Sequence, residues 1–132
     1  LKLLLDTHIL IWWLSERGKL SAEQRKAIGN ASADSPLFVS DISLWEVSML
    51  HSLGRIDLLL PLRDWLENAV ARPLVERVGI SPEIAAEVSN LPATFHRDPA
   101  DRILVATART LGATILTQDQ RIVQASIVST LG

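Results

Sequence analysis

The chain is predicted to fold as an α/β domain around a central parallel sheet of four to five strands with helices on both faces. Two observations predict this. Short apolar runs alternate with segments of helical length and periodicity along the whole chain, and strands that alternate with helices build parallel sheets buried on both sides. The composition agrees: 132 residues, 48% hydrophobic and 21% charged, suit one domain spanning residues 1–132 and leave no room for extended disorder.

Residues 2–5 form the first predicted strand, closed by Asp6-Thr7, either of which can cap a helix over residues 9–14. Ser21-Ala22-Glu23 opens a second helix reaching about Ala31, with Ile28 facing the core and Gln24 and Lys26 on a wet face. Residues 37–40 make the second strand. A helix then starts with capping-box spacing between Ser43 and Glu46, and Gly54 stops it. Another helix covers residues 62–71 after Pro61, and a third strand covers 74–78. Ser81-Pro82-Glu83 begins a helix to about Asn90, and residues 91–97 form the one loop long enough to be mobile.

The clearest helix starts at Asp98-Pro99, with Asp98 as N-cap and Pro99 at the first helical position. Ile103, Leu104, Ala106, Thr107 and Leu111 supply its buried stripe, and Gly112 ends it. Residues 113–116 form a fourth strand and 119–125 a short helix, with 127–128 a candidate edge strand.

Composition narrows the chemistry. The absence of cysteine rules out disulfides, thiolate metal sites and a cysteine nucleophile, and fits a reducing cytoplasm. The opening LKLLL run is ended at once by Asp6 and His8, too short for a signal-peptide core or a membrane span. A net charge of −2 gives no global attraction to nucleic acid. Binding to RNA therefore has to come from local arginines or from a bound cation. All three lysines (Lys2, Lys19, Lys26) lie early, and arginines populate the rest of the chain.

The acids carry the functional signal through their placement. Ligands of open α/β sheets bind outside the carboxyl ends of the strands. Asp6 directly follows the first predicted strand, Glu46 lies in the first turn of the helix after the second, and Asp119 comes just beyond the fourth. Asp101 opens the long helix that runs back toward the amino end of the fourth strand, which puts its N-terminus near the same rim. Clustered carboxylates raise one another's pKa unless a cation joins them, and an all-oxygen set suits Mg²⁺ or Mn²⁺. Such an ion lowers the pKa of bound water and offsets charge on an attacked phosphate. The hydroxyls of Thr7, Ser40 and Thr117 are candidates to aim the carboxylates.

Each acid also has a structural explanation taken singly: Asp6, Asp98 and Asp119 as caps, Glu46 in a capping box, Asp101 near a positive helix terminus. Only the joint convergence favours function. His8, His51 and His96 lack metal-ligand spacing and read as ordinary histidines. Trp12, Trp13, Trp45 and Trp65 read as core or partner-facing aromatics, and residues 9–14 as either core or a partner surface.

The segments LLLDTHILIWWL, VSDISLWEVSML and DPADRILVATARTLGATILTQD together resemble the PIN-domain family, and within it the VapC-type toxins of bacterial toxin–antitoxin pairs. The resemblance spans nearly the whole chain. It implies a three-layer α/β/α fold and an Mg²⁺- or Mn²⁺-dependent ribonuclease. It further implies a small antitoxin that occludes the acidic site, and a homodimer. Carried over by motif, the family's four acids fall on Asp6, Glu46, Asp101 and Asp119, as catalytic and metal-holding residues, with Asp98 as an extra acid. Arg102, beside Asp101, is a candidate phosphate contact.

Two rival readings belong to other classes. A phosphoryl-accepting receiver domain would want paired acids after the first strand, an acid after the third and a late lysine, and the chain has Asp-Thr-His, Gly79-Ile80-Ser81 and no lysine after Lys26. A non-cleaving acidic module that binds RNA or a partner protein is the alternative to the nuclease.

Overall fold

A computed structural model describes residues 1–15 and 19–132. Five strands form one sheet: β1 (Leu3–Leu5), β2 (Leu37–Ser40), β3 (Val75–Val78), β4 (Thr114–Leu116) and β5 (Thr130–Leu131). Their spatial order is β3-β2-β1-β4-β5, and every neighbouring pair is parallel. The helices between them are α1 (Thr7–Ser15), α2 (Ala22–Gly29), α3 (Asp41–Ser52), α4 (Leu62–Ala71), α5 (Pro82–Val88), α6 (Pro99–Leu111) and α7 (Gln120–Ala125).

Alternation along the strands explains the three layers. Successive side chains point to opposite faces, so a strand apolar at every position must be covered on both. Leu3 and Leu5 of β1, with Leu37 and Val39 of β2, pack against Ile9, Ile28, Val47 and Trp65 from α1, α2, α3 and α4. Leu4, Phe38 and Ile115 point the other way, against Leu104, Val105 and Ala108 of α6 and Ile122 of α7. Leu4, Leu5, Ile9 and Leu104 are essentially inaccessible to solvent, and each such side chain contributes about 1.5–3 kcal/mol.

The connection order creates the functional crevice. From β1 the chain steps outward to β2 and β3, then crosses back to β4 on the other side of β1. The helices that follow β1 and β4 therefore diverge, leaving an opening at the carboxyl ends of these two central strands.

Local signals in the sequence set most boundaries. Ser21 and Gln24 form a reciprocal capping box on α2, Ser81 caps α5 and Asp98 caps α6 with Pro99 in its first turn. Gly112 adopts the left-handed conformation (φ 65°) that ends α6.

Several expectations are corrected. The Ser43–Glu46 spacing is not a capping box: α3 begins two residues before Ser43, with Ser40 Oγ accepting the Ile42 amide as its cap. Ser43 is instead buried, accepting from Thr7 Oγ1 at 3.1 Å and tying α1 to α3. Gln24 does not face water but is fully buried. The edge strand lies at Thr130–Leu131 rather than 127–128, because the chain first turns through Ser126 at a positive φ of 54°. In α6 the fully buried stripe includes Val105 and Ala108, while Ile103 and Leu111 are half-buried, since both sheet and α5 cover that helix. The 91–97 loop is anchored by Leu91 and Phe95, both in the core. Among the described residues no helix is long and apolar enough to cross a membrane.

Candidate active site

Asp6, Glu46, Asp98, Asp101 and Asp119 all line one cavity of about 330 Å³ at the carboxyl ends of β1 and β4, with Thr7, His8, Trp12, Gln118 and Arg121. Five acids from four separate stretches thus share one opening.

Each is delivered by a different local device. Asp6 continues β1 by one residue, its amide donating to the Leu116 carbonyl at 3.1 Å. Its carboxylate accepts the Ile9 amide at 2.8 Å and so caps α1. Asp98 Oδ1 accepts the Asp101 amide at 3.1 Å, which places both acids in the first turn of α6. Asp119 caps α7, and its own amide donates to Thr117 Oγ1 at 3.0 Å. Glu46 lies one helical turn into α3, on the face turned toward the cavity.

The electrostatics follow from this crowding. Burial is the main force pushing the Asp6 carboxyl above its ordinary pKa, and the Asp119 charge adds to it. The Thr117 hydroxyl, the Ile9 amide and His8 pull the other way. Asp101 is raised to about 7, first by burial and then by the charges of Asp98, Asp119 and Glu46. Burial also acts upward on Asp119, but hydrogen bonds from the Arg121 side chain and amide, with its positive charge, outweigh it and leave Asp119 below the ordinary value.

Two residues at this site were not singled out from the sequence. His96 Nε2 is buried 3.2 Å from Asp101 Oδ2, without the alignment of a hydrogen bond. Arg121 donates to Asp119 Oδ2 at 3.0 Å and lies 3.7 Å from Asp101 Oδ2. One signal for it existed: it occupies the second position of α7, where the helix dipole disfavours a cation that has no acidic partner. The arginine expected to contact phosphate, Arg102, instead donates to the carbonyls of Phe95 and His96 and does not line the cavity. Of the three hydroxyls, Thr117 contacts Asp6 and Asp119, whereas Thr7 bonds Ser43 and Ser40 caps α3.

Among the described residues no three acid or histidine side chains stand close enough, as placed, to cage an ion. The Arg121 guanidinium lies between two of them, Asp101 and Asp119. That guanidinium is a stand-in for a cation, while Asp6 and Asp101 are raised first by burial and further by the charges of neighbouring acids. An all-oxygen, carboxylate-rich lining fits a hard cation.

A parallel five-stranded α/β/α sandwich with this acidic opening defines the class: the PIN domain, whose profile matches residues 3–128, and the chain belongs to that family. It is 39% identical over 119 residues to Ribonuclease VapC22 of Mycobacterium tuberculosis, covering 90% of this chain and 88% of that protein. Among solved structures it resembles VapBC2 from Rickettsia felis bound to a DNA fragment from its promoter (TM-score 0.71, 11% identity, 99% and 98% of the two chains). It also resembles FitAcB from Neisseria gonorrhoeae (TM-score 0.68, 19% identity, 98% and 96% covered). These structural likenesses concern the fold.

Proposed function

We propose that this protein is an Mg²⁺- or Mn²⁺-dependent endoribonuclease and the toxin of a type II toxin–antitoxin pair, acting in the cytoplasm. The observation that carries the reading is the sharing of one cavity by Asp6, Glu46, Asp98, Asp101 and Asp119, two of them held above their ordinary pKa. Its likeness to Ribonuclease VapC22 supports the nuclease, and its likeness to toxin–antitoxin complexes supports the partner.

In this reading Asp6, Glu46, Asp101 and Asp119 hold the ion, with Asp98 as an additional acid. When bound, the ion supplies activation of water and neutralisation of charge on the scissile RNA phosphate. The chain's own groups do the rest. Asp6 is pinned by the Ile9 amide and Thr117, so its oxygens keep one orientation. Asp101, whose carboxyl is raised to about 7, is the acid suited to accept a proton from the attacking water near neutrality. Arg121 offers the phosphate a planar fork, a role it takes over from Arg102. The family resemblance implies 5′-phosphate and 3′-hydroxyl products.

A small antitoxin covers the acidic opening, and the toxin forms a homodimer. The apolar segment after Asp6 divides in a way that supports a partner: Ile9, Leu10 and Ile11 are core, while Trp12, Trp13 and Leu14 are half-exposed. Beside them Ile11, Leu14, Leu58, Leu59, Leu60 and Trp65 line an apolar cleft of about 320 Å³.

The test is cleavage of total cellular RNA with and without Mg²⁺ or Mn²⁺, comparing the natural chain with Asp6→Asn and mapping product ends. Metal-dependent cleavage lost in a folded Asp6→Asn protein is expected. Full activity in that variant sinks the assignment, and tight RNA binding with no products favours the non-cleaving module.

A further inference from the structure

We propose that Arg121 competes with the dication for Asp101 and Asp119 and, once displaced, turns its guanidinium fork to the RNA phosphate. This rests on the metal-dependent nuclease reading above and assigns a residue that the family motif does not supply.

Charge and geometry carry the proposal. Among the described residues, Arg121 is the lone arginine or lysine in the lining of a cavity that holds five acids. Its side chain contacts both oxygens of Asp119, at 3.3 and 3.0 Å, and approaches Asp101 at 3.7 Å. Those are two of the carboxylates that a dication would need, so guanidinium and metal ion cannot both have them at full strength.

The hold is weak enough to be broken. The Arg121 side chain is 62% exposed, and exposed ion pairs contribute little net stability. The side chain also has somewhere to go. Arg121 lines a second cleft of about 370 Å³, with Thr94, Phe95, His96 and Gln124, so it forms the wall between that cleft and the acidic cavity. From this wall a small torsional change moves the fork from carboxylates to a phosphate lying across the opening, and arginine matches phosphate in two-pronged geometry. Its place at the second position of a helix, where the dipole opposes a cation, is explained by these acids rather than by α7 itself.

Mn²⁺ binding to the full chain, followed by titration with electron paramagnetic resonance, tests the competition without reference to activity. Arg121→Ala is expected to bind Mn²⁺ about two- to fivefold tighter than the natural chain, the range an exposed ion pair allows. Arg121→Lys is expected to stay close to the natural chain. In Mg²⁺, binding of an oligodeoxynucleotide that the protein leaves uncut is expected to show a shallower salt dependence for Arg121→Ala, by about one phosphate contact. Equal or weaker Mn²⁺ affinity in Arg121→Ala, with binding intact in the natural chain, overturns this proposal alone. Absence of Mn²⁺ binding from all three proteins removes the metal reading and this proposal with it. An unchanged salt slope overturns the phosphate contact.

Discussion

Gln24 Nε2 donates to the Thr117 carbonyl at 3.2 Å across 93 residues of sequence, joining α2 to the strand end from which the acidic rim is built. The same amide reaches the Leu131 carbonyl at 2.9 Å, and Gln24 Oε1 accepts from Gln118 Nε2 at 2.9 Å and from the Ser21 amide at 3.2 Å. One buried side chain thus secures β4, β5 and the segment leading to Asp119.

Replacing Gln24 with Leu removes the donor to the buried Thr117 carbonyl and one of the two donors to the Leu131 carbonyl, and leaves the Thr117 oxygen desolvated with nothing to compensate it. The expected loss is about 2–3 kcal/mol of unfolding free energy, measured by urea denaturation. Cleavage activity should fall as well, since the loop that aims Asp119 loosens. A loss within about 0.5 kcal/mol, the range of an ordinary surface substitution, contradicts the buried network.

Asp101 makes stability depend on pH in a defined direction. Its folded pKa of about 7 lies above its ordinary 3.8, so between these values the folded state binds a proton that the unfolded state does not. Stability from this group is therefore complete below pH 4 and is lost as pH rises through 7. Asp6, also raised, acts in the same sense, while Asp119, which is lowered, is silent until pH falls below the ordinary carboxylate range. In chelator, unfolding free energy should fall from pH 5 to pH 7, and Asp101→Asn should remove a slope approaching about 1 kcal/mol per pH unit. Parallel pH profiles for the two proteins contradict the assignment.

Metal uptake should also release protons near pH 6.5. The dication replaces the proton that burial and the neighbouring acids hold on Asp101. Titration calorimetry in two buffers of different ionisation enthalpy reads this directly, and identical heats in both buffers contradict it.

Gly112 offers a test remote from the chemistry. A Cβ there meets nothing within 4 Å, so only its left-handed backbone, φ 65°, resists substitution. Gly112→Ala should cost about 1–2 kcal/mol, and Gly112→Asn less, because asparagine tolerates that region. Cleavage per folded molecule should stay unchanged. Equal stability of all three proteins in thermal melts contradicts this account.

The parts of the fold legible in the sequence were those governed by local physics. Pro61 marks the start of α4, Asp98-Pro99 the start of α6 and Gly112 its end, because caps and turns depend on residues within a few positions of one another. The same locality misled at Ser43 and Glu46. Their spacing satisfies a capping box, yet Ser40 stands earlier at the strand end and takes the cap, freeing Ser43 to meet Thr7 in the core. Gln24 misled for the opposite reason: a polar residue on an exposed-looking face is buried once β5 and the 117–118 segment close over it.

By itself the sequence determined the sheet-and-helix alternation and which acids end strands or open helices, since apolar periodicity and capping chemistry are written in neighbouring residues. Only the tertiary structure decided that Arg121 rather than Arg102 faces those acids, that His96 lies against Asp101, and that Asp101 is held near pH 7. Those outcomes depend on distance and burial between segments far apart in the chain, and neither quantity exists until the crossing from β3 back to β4 brings them together.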